Sequence, residues 1–245
     1  MTEQFWTVLT RSISNNLVRY FIVAGIFFLI FYVIFGKKWN YRKIQGRLHK
    51  LKVAVSLFAT PLREYTLGYN NISDYGWGYW GLSILLMLFV HDTYFYWMHR
   101  LMHSPKLFKH IHLIHHKSTN PSPWAAYAFH PLEGVVEAGI IYPIAFLIPF
   151  HRSALMIFLA IMILYNVYGH LGFELYPKGF NKHPIGKWLN TSVNHNQHHK
   201  KFTGNYGLYF LFWDRWMGTL REDYDDAYAT VDAKREHSSP ETVSS

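Results

Sequence analysis

The chain has 245 residues, of which half are hydrophobic and 19% are aromatic, whereas only 16% are charged. Soluble domains usually carry about 25% charged residues, so this composition indicates an integral membrane protein. The formal net charge is +9, but the basic residues cluster beside apolar segments, which favours a membrane surface over nucleic acid as the partner. Because the chain contains no cysteine, disulfides, iron–sulfur clusters and thiolate metal sites are excluded in it.

The first predicted transmembrane helix covers residues 17–35, an apolar run long enough to cross a hydrocarbon core of about 30 Å. Seven Lys or Arg residues and no acidic residue follow at 37–52, and the positive-inside rule places this loop in the cytoplasm. Residues 53–69 are less apolar and contain a proline and two adjacent charges. The next predicted span, 80–98, is followed by a second basic segment, which is also expected in the cytoplasm. Because two cytoplasmic segments must be separated by an even number of crossings, we expect residues 53–69 to cross as well.

Two further apolar runs, 134–150 and 154–170, are joined by a short link and predict an antiparallel hairpin with both ends on one side of the membrane. The expected fold class is therefore an all-α integral membrane protein with four to five transmembrane helices. We expect N-terminal anchor helices and a basic loop over 1–76, a histidine-rich domain over 77–221, and a disordered acidic and serine-rich tail over 222–245.

Nine histidines follow the spacing of metal ligands. The sequence HLIHH occurs at 112–116 and HNQHH at 195–199, and an H-x-x-x-H motif precedes the first of them. Residues three and four apart share one face of a helix, so each motif presents its imidazoles in one direction. With one more histidine at the end of the last apolar run, the candidate ligands are His99, His103, His112, His115, His116, His170, His195, His198 and His199.

Nine imidazoles are too many for one metal, since a tetrahedral site takes at most four protein ligands. The set predicts two metals with open positions, held in a helical cap on the cytoplasmic side of the membrane. Imidazole binds iron, zinc, copper and nickel, so the spacing leaves the metal open. Asp92, His130 and Asn166 lie beside the motifs in sequence and are candidates for hydrogen bonding to a ligand, and His130 is equally a candidate tenth ligand.

Three stretches of the chain resemble the fatty acid hydroxylase superfamily, which includes sterol desaturases and sterol methyl oxidases. They read DTYFYWMHRLMH, HLIHHKSTNPSPWAAYAFHPLE and VNHNQHHKKFTGNYGLYFLFWDRWMGTL, and they lie within residues 92–220. The segments AFHPLE and NYGLYFLFWDRWMG are most similar to those of C5 sterol desaturases (lathosterol oxidases).

The resemblance implies a lipid-biosynthesis oxidoreductase in which the nine histidines bind two catalytic iron ions at the cytoplasmic face of the ER or the bacterial inner membrane. Such an enzyme uses O2 to desaturate or hydroxylate an unactivated C–H position of a sterol or fatty acyl lipid. It implies a separate electron donor of the cytochrome b5 or ferredoxin type. Some members of the superfamily have a histidine four residues before the counterpart of His170, where this chain has Asn166, so the ligand number of one metal stays open.

Two other functions are alternatives on the sequence. A zinc-dependent membrane hydrolase would also use histidine ligands, but such enzymes usually carry a carboxylate beside them, as in H-E-x-x-H, and none of the motifs here contains one. A metal transporter would place ionisable ligands near the middle of the membrane. These histidines lie instead at the ends of apolar segments and in loops.

Overall fold

The computed structural model describes residues 22–34 and 66–238, and these residues are mostly helical. The basic loop 37–52 and most of the predicted crossing 53–69 lie outside the described residues. The helices are α1 (residues 22–34, ending in the π-helical segment Leu29–Ile34), α2 (Gly76–Met102), α3 (Phe108–Ile111), α4 (Leu113–His116), α5 (Pro131–Ala138), α6 (Ile141–Leu147), α7 (Arg152–Gly169), α8 (Ser192–Lys201), α9 (Phe212–Trp216) and α10 (Tyr224–Ser238). Short 3₁₀ helices connect them at Ile72–Asp74, Pro123–Ala125, Phe180–Lys182 and Gly186–Trp188.

The two longest helices, α2 and α7, pack against each other at the centre of the described fold. Met87 of α2, Ile144 of α6 and Phe158 of α7 are fully buried in the same apolar cluster. The strands β1 (Gly68–Tyr69) and β2 (Phe150–His151) pair in parallel beside this cluster and join the start of α2 to the start of α7. Among the described residues, α7 is the one helix that is long and apolar enough to cross a membrane.

The predicted apolar span 134–150 is not a single helix. The structure divides it into α5 and α6, with a turn at Gly139 and Ile140. Pro143 explains the break, because proline has no N–H to donate and its ring blocks the carbonyl four residues earlier, that of Gly139. The hydroxyl of Tyr94 on α2 donates a hydrogen bond of 2.7 Å to the Val136 carbonyl next to this turn, which fixes α5 against α2.

The expected disorder from residue 222 is wrong for residues 224–238, which form α10. Tyr224, Tyr228 and Val231 are buried against Val193 of α8 and Leu211 in a separate apolar cluster. These three residues are four and three positions apart and therefore share one face of the helix. Two of the acidic residues that suggested disorder, Asp225 and Asp226, lie in the first turn, where they stabilise a helix through its dipole. Residues 239–245 lie outside the described part of the chain.

Candidate metal centre

The nine candidate histidines lie together in two neighbouring groups, and within each group the ligand nitrogens are within 4.8 Å of one another. The five-histidine group consists of His99, His103, His112, His116 and His198, and the four-histidine group consists of His115, His170, His195 and His199. All of these side chains are buried except that of His103, which is half-buried. The groups draw on the ends of α2 and α7, on the α3–α4 segment and on α8, so the distant parts of the sequence meet at one place.

The Nε2 atoms of these histidines point at one another. The Nε2–Nε2 distances are 3.0 Å for His99–His112 and 3.1 Å for His116–His198 in one group, and 3.2, 3.1 and 3.1 Å from His170 to His115, His195 and His199 in the other. A neutral imidazole carries one N–H, so the meaning of such a contact depends on which ring nitrogen holds the proton.

The Nδ1 partners settle where the proton lies. Nδ1 donates to a backbone carbonyl in four of the rings: His99 to Tyr206 at 2.9 Å, His170 to Asn166 at 2.8 Å, His198 to Gly204 at 2.7 Å and His199 to Ser118 at 3.1 Å. A carbonyl oxygen can only accept, so in these neutral rings Nδ1 holds the hydrogen and Nε2 presents a lone pair. In the His170–His199 contact both lone pairs therefore face each other.

The five-histidine group contains an equivalent contact. With Glu133 ionised, Nδ1 of His112 donates to Oε1 of Glu133 at 2.8 Å, and the Nε2 atoms of His112 and His99 then also meet lone pair to lone pair. Burial raises the pKa of the Glu133 carboxyl well above its ordinary value. Burial, together with repulsion from neighbouring imidazolium charge, holds the pKa of His112 well below its ordinary value, as it does for His115 and His199. A proton is thus disfavoured between the rings, and each group is arranged to share a cation among its Nε2 atoms.

The local sequence explains how α8 presents its three histidines. Thr191 is the N-cap, and its Oγ1 accepts a hydrogen bond of 3.1 Å from the backbone N–H of Asn194. Oε2 of the buried Glu174 accepts a second one, also 3.1 Å, from the N–H of Val193. These contacts satisfy two of the N–H groups that a helix start leaves free. The helix is thereby fixed at the end from which His195 projects.

Comparison with known proteins identifies the family. The model of the fatty acid hydroxylase family matches residues 84–219, which is more than half of the chain and includes all nine histidines. The chain belongs to the fatty acid hydroxylase family.

This family member is similar to proteins named for sterol chemistry. It is 30% identical over 208 residues to the Delta(7)-sterol 5(6)-desaturase of Gibberella zeae, with 79% of this chain and 62% of that protein covered. It is 36% identical over 172 residues to the lathosterol oxidase of Rattus norvegicus, with 68% of this chain and 55% of that protein covered. The chain thus spans less than two thirds of these two relatives. No solved structure matches it.

The three residues predicted to support ligands have different positions in this fatty acid hydroxylase family member. Oδ1 of Asp92 accepts backbone N–H bonds from Leu208, Tyr209 and Phe210, at 3.2, 2.6 and 3.2 Å, so Asp92 holds the segment that follows Tyr206. His130 is the N-cap of α5, where its Nδ1 accepts from the N–H of Leu132, and it belongs to neither histidine group. Asn166 contacts a candidate ligand through its backbone carbonyl, which accepts from His170, while its side chain donates to Ala126.

Sequence reasoning missed two buried carboxylates of the centre. Glu133 accepts from His112, and Glu174 anchors α8 and also accepts from the hydroxyl of Tyr168 at 2.6 Å. The sequence did contain a signal for Glu133, which lies three residues after the helix N-cap His130. A glutamate at this position is typical of a capping motif, in which its side chain is fixed. Glu174 lies in a loop and had no such signal.

Proposed function

We propose that this chain is a membrane-bound di-iron oxidoreductase that uses O2 to desaturate or hydroxylate an unactivated C–H position of a lipid in lipid biosynthesis. The observation that carries the proposal is the presence of two groups of converging imidazoles, one of five and one of four, in which five of the nine rings are oriented by an Nδ1 hydrogen bond. Family membership supports the same chemistry, because the named relatives are sterol desaturases and lathosterol oxidases.

The donor set fits iron better than zinc. With a metal–nitrogen distance of about 2.1 Å, adjacent ligand nitrogens lie roughly 3.0 Å apart in an octahedron and roughly 3.4 Å apart in a tetrahedron. Four of the five Nε2–Nε2 distances, at 3.0 and 3.1 Å, are nearer the octahedral value, and the fifth, 3.2 Å for His115–His170, lies midway between the two. Five imidazoles in one group also exceed the four ligands of a tetrahedral site. Imidazole is a good ligand for iron in such an arrangement.

In the proposed enzyme, His99, His103, His112, His116 and His198 hold one iron, and His115, His170, His195 and His199 hold the other. Bound there, the irons would supply the chemistry of O2 reduction and of hydrogen removal from an unactivated C–H bond. The protein's own groups orient the ligands: Glu133 and the carbonyls of Tyr206, Gly204, Asn166 and Ser118 each accept from an Nδ1–H. Burial of eight of the nine rings keeps bulk water away from the reacting position.

The proposed substrate is a sterol or a fatty acyl lipid, and the names of the relatives favour a Δ7-sterol. Desaturation and hydroxylation both begin with removal of hydrogen from carbon and differ in what happens next. The proposal therefore covers both reactions, and the product mass distinguishes them.

The proposed setting is a multi-pass membrane protein of the ER or the bacterial inner membrane, with four to five transmembrane helices. The catalytic domain covers 77–221, and its histidine-rich cap faces the cytoplasm. The basic loop 37–52 supports this orientation through the positive-inside rule, and the apolar α7 supports the membrane location. The electrons come from a separate carrier protein of the cytochrome b5 or ferredoxin type.

The zinc hydrolase alternative fits the geometry less well. A metallohydrolase needs a carboxylate that can reach the water on the metal. Glu133 is the carboxylate that the structure brings to a candidate ligand, but it bonds to Nδ1 of His112, on the far side of the ring from Nε2. It therefore holds the ligand and does not face the open position.

The test combines metal content with product analysis. Detergent-purified protein, expressed with iron supplied, is expected to contain about two irons per chain by elemental mass spectrometry. Incubated with a Δ7-sterol, O2, NADH, cytochrome b5 and its reductase, it should give a product lighter by 2 Da or heavier by 16 Da. Zinc that persists after anaerobic reconstitution with iron would contradict the proposal.

A further inference from the structure

Two phenylalanine rings lie between the five-histidine group and the protein surface. Phe108 of α3 and Phe202, the residue after α8, are half-buried and contact each other with ring centroids 5.9 Å apart. The His116 ring lies 5.5 Å from that of Phe108 and 5.3 Å from that of Phe202. Phe108 also contacts His103 at 5.1 Å. This aromatic pair thus connects the surface to two candidate ligands.

The backbone of Phe202 is held in an unusual conformation. Its φ of 64° is in the left-handed region, which bulky side chains rarely adopt. Phe202 ends α8 there, with its N–H donating to the carbonyl of His198 at 2.8 Å, and its backbone also forms a hydrogen bond with His103. Glycine would make the same turn without steric cost. Glycine could not, however, supply the contacts that the Phe202 ring makes with Phe108 and His116. Backbone strain of the kind seen at Phe202 is concentrated at functional sites.

Four lysines accompany the two rings. Lys106 and Lys109 lie two residues before and one residue after Phe108, and Lys200 and Lys201 directly precede Phe202; all four are exposed. None of them takes part in a salt bridge among the described residues. The pKa of Asp223 is lowered mainly by Arg221 and to a smaller extent by Lys201. Its carboxylate is already paired with Arg221 at 2.9 Å. The ring contact brings the two lysine pairs into one region with unbalanced positive charge.

The proposed reaction requires electrons from outside the centre. Desaturation removes two protons and two electrons from the lipid, whereas reduction of O2 to two waters takes four electrons and four protons. Hydroxylation places one oxygen atom in the product and one in water, and it likewise requires two electrons and two protons from outside. Each turnover therefore needs a reductant, which must reach the histidine groups from the surface.

We propose that this region, made of Phe108, Phe202 and the four lysines, is the docking site of an acidic one-electron carrier protein. The inference rests on the proposed function and adds to it where the carrier binds and how electrons enter. The carrier is oxidised by one electron at each of two encounters, and the centre gains the two electrons. Electrons pass by way of the aromatic pair to His103 and His116, and His103 is the least buried of the nine histidines.

An anionic bilayer would also attract the lysines, but it fits the region less well. Binding of lipid headgroups needs only positive charge at the surface. It gives no reason for a strained phenylalanine to contact a second ring and two candidate ligands. Charge complementarity to an acidic protein, combined with an aromatic path to the histidines, accounts for both features.

The test follows reduction of the iron-loaded, full-length protein in detergent. Stopped-flow absorbance would monitor the oxidation of reduced soluble cytochrome b5 haem domain when it is mixed with the ferric protein at several ionic strengths. The variants are the double substitution Lys200→Glu and Lys201→Glu, and Phe108→Leu. Lys182→Glu is the matched control, because Lys182 is exposed but lies in the separate 3₁₀ helix Phe180–Lys182. Dithionite serves as a small reductant that needs no docking site.

The double lysine variant should lower the second-order rate with the carrier by at least about tenfold at low ionic strength, and the loss should shrink as salt is added. Phe108→Leu should keep the salt dependence but slow the reaction at saturating carrier by about threefold or more. Iron content should equal that of the wild type in every variant. The dithionite rate of the double lysine variant should equal that of the wild type, and Lys182→Glu should match the wild type with both reductants.

An unchanged carrier rate in the double lysine variant would overturn the docking proposal, as would an equal loss in Lys182→Glu. So would a result in which the variant loses binding to phosphatidylserine-containing vesicles but keeps its carrier rate, since the lysines would then bind anionic lipid. These failures differ from failure of the proposed function. In that case the wild-type protein itself would bind no iron or would form no product with any reductant.

Discussion

Glu133 accepts a hydrogen bond of 2.8 Å from Nδ1 of His112, and neither side chain is exposed to solvent by more than 2%. The contact spans 21 positions of the chain and joins the start of α5 to the α3–α4 segment. The carboxylate makes Nδ1 the protonated nitrogen and leaves Nε2 facing that of His99 at 3.0 Å. Carboxylates in this position raise the basicity of a ligand imidazole and fix its orientation.

Replacing Glu133 should weaken metal binding in the five-histidine group. Glu133→Ala leaves the Nδ1–H of His112 without a partner and should lower metal affinity by about 10- to 100-fold. Glu133→Gln keeps an accepting oxygen but loses the charge, so its affinity should lie between those of Glu133→Ala and the wild type. Chelator competition followed by elemental analysis measures both. Equal affinity in all three proteins would contradict the role given to Glu133.

Removing one histidine from each group should separate the two metals. His115→Ala leaves three imidazoles in the four-histidine group, and His198→Ala leaves four in the other. Each variant should lose about one metal per chain and essentially all lipid oxidation, because the proposed chemistry needs both metals. His110→Ala is the matched control, since His110 is exposed and belongs to neither group. Full metal content in His115→Ala or His198→Ala would assign that histidine another role.

The positions of the histidines were largely predictable because their spacing follows a helical period. H-x-x-H-H was expected to present its rings in one direction, and among the described residues the structure brings the distant motifs together in the two histidine groups. Division into groups of five and four was not predictable. His115 and His116 are adjacent in sequence but belong to different groups, which depends on the packing of α4 between α2, α7 and α8.

What the sequence did not reveal depends on long-range contacts or on local breaks. Glu133 lies outside the histidine motifs, and only the fold brings it to His112. The turn that divides 134–150 follows from Pro143, whose ring blocks the Gly139 carbonyl. The mean hydropathy of the segment does not reveal this effect. In α10 the acidic composition obscured an apolar face whose members are buried by contact with α8, which no local pattern specifies.

Gly169 provides space for a candidate ligand at the end of α7. A Cβ at this position would lie 3.2 Å from Cδ2 of His195, a tighter contact than side chains normally make. Gly169→Ala should therefore shift the His195 ring and lower metal affinity of the four-histidine group by on the order of tenfold. The melting temperature of the metal-free protein should stay close to that of the wild type, because alanine favours the helical conformation over glycine.

The control for Gly169→Ala is Gly78→Ala in α2, where an added Cβ meets no atom within 4 Å. Titration of metal-free protein with ferrous iron under anaerobic conditions compares the two variants. Gly78→Ala should bind as the wild type does. If Gly169→Ala also did so, the close approach of His195 to the helix end would have no part in metal binding.

Tyr228 tests whether α10 is an integral part of the fold. The ring is fully buried in the apolar cluster with Val193 and Leu211, and its hydroxyl donates to the Pro177 carbonyl at 3.0 Å. Tyr228→Ala should lower the free energy of unfolding by about 3–5 kcal/mol, as removal of a buried aromatic ring does. Tyr228→Phe removes only the hydrogen bond and should cost about 1 kcal/mol. Chemical denaturation in detergent, followed by tryptophan fluorescence, measures both, and limited proteolysis reports release of the helix. A stability of Tyr228→Ala equal to that of the wild type would mean that α10 does not support α8, and the disordered tail expected from the sequence would then be the better description.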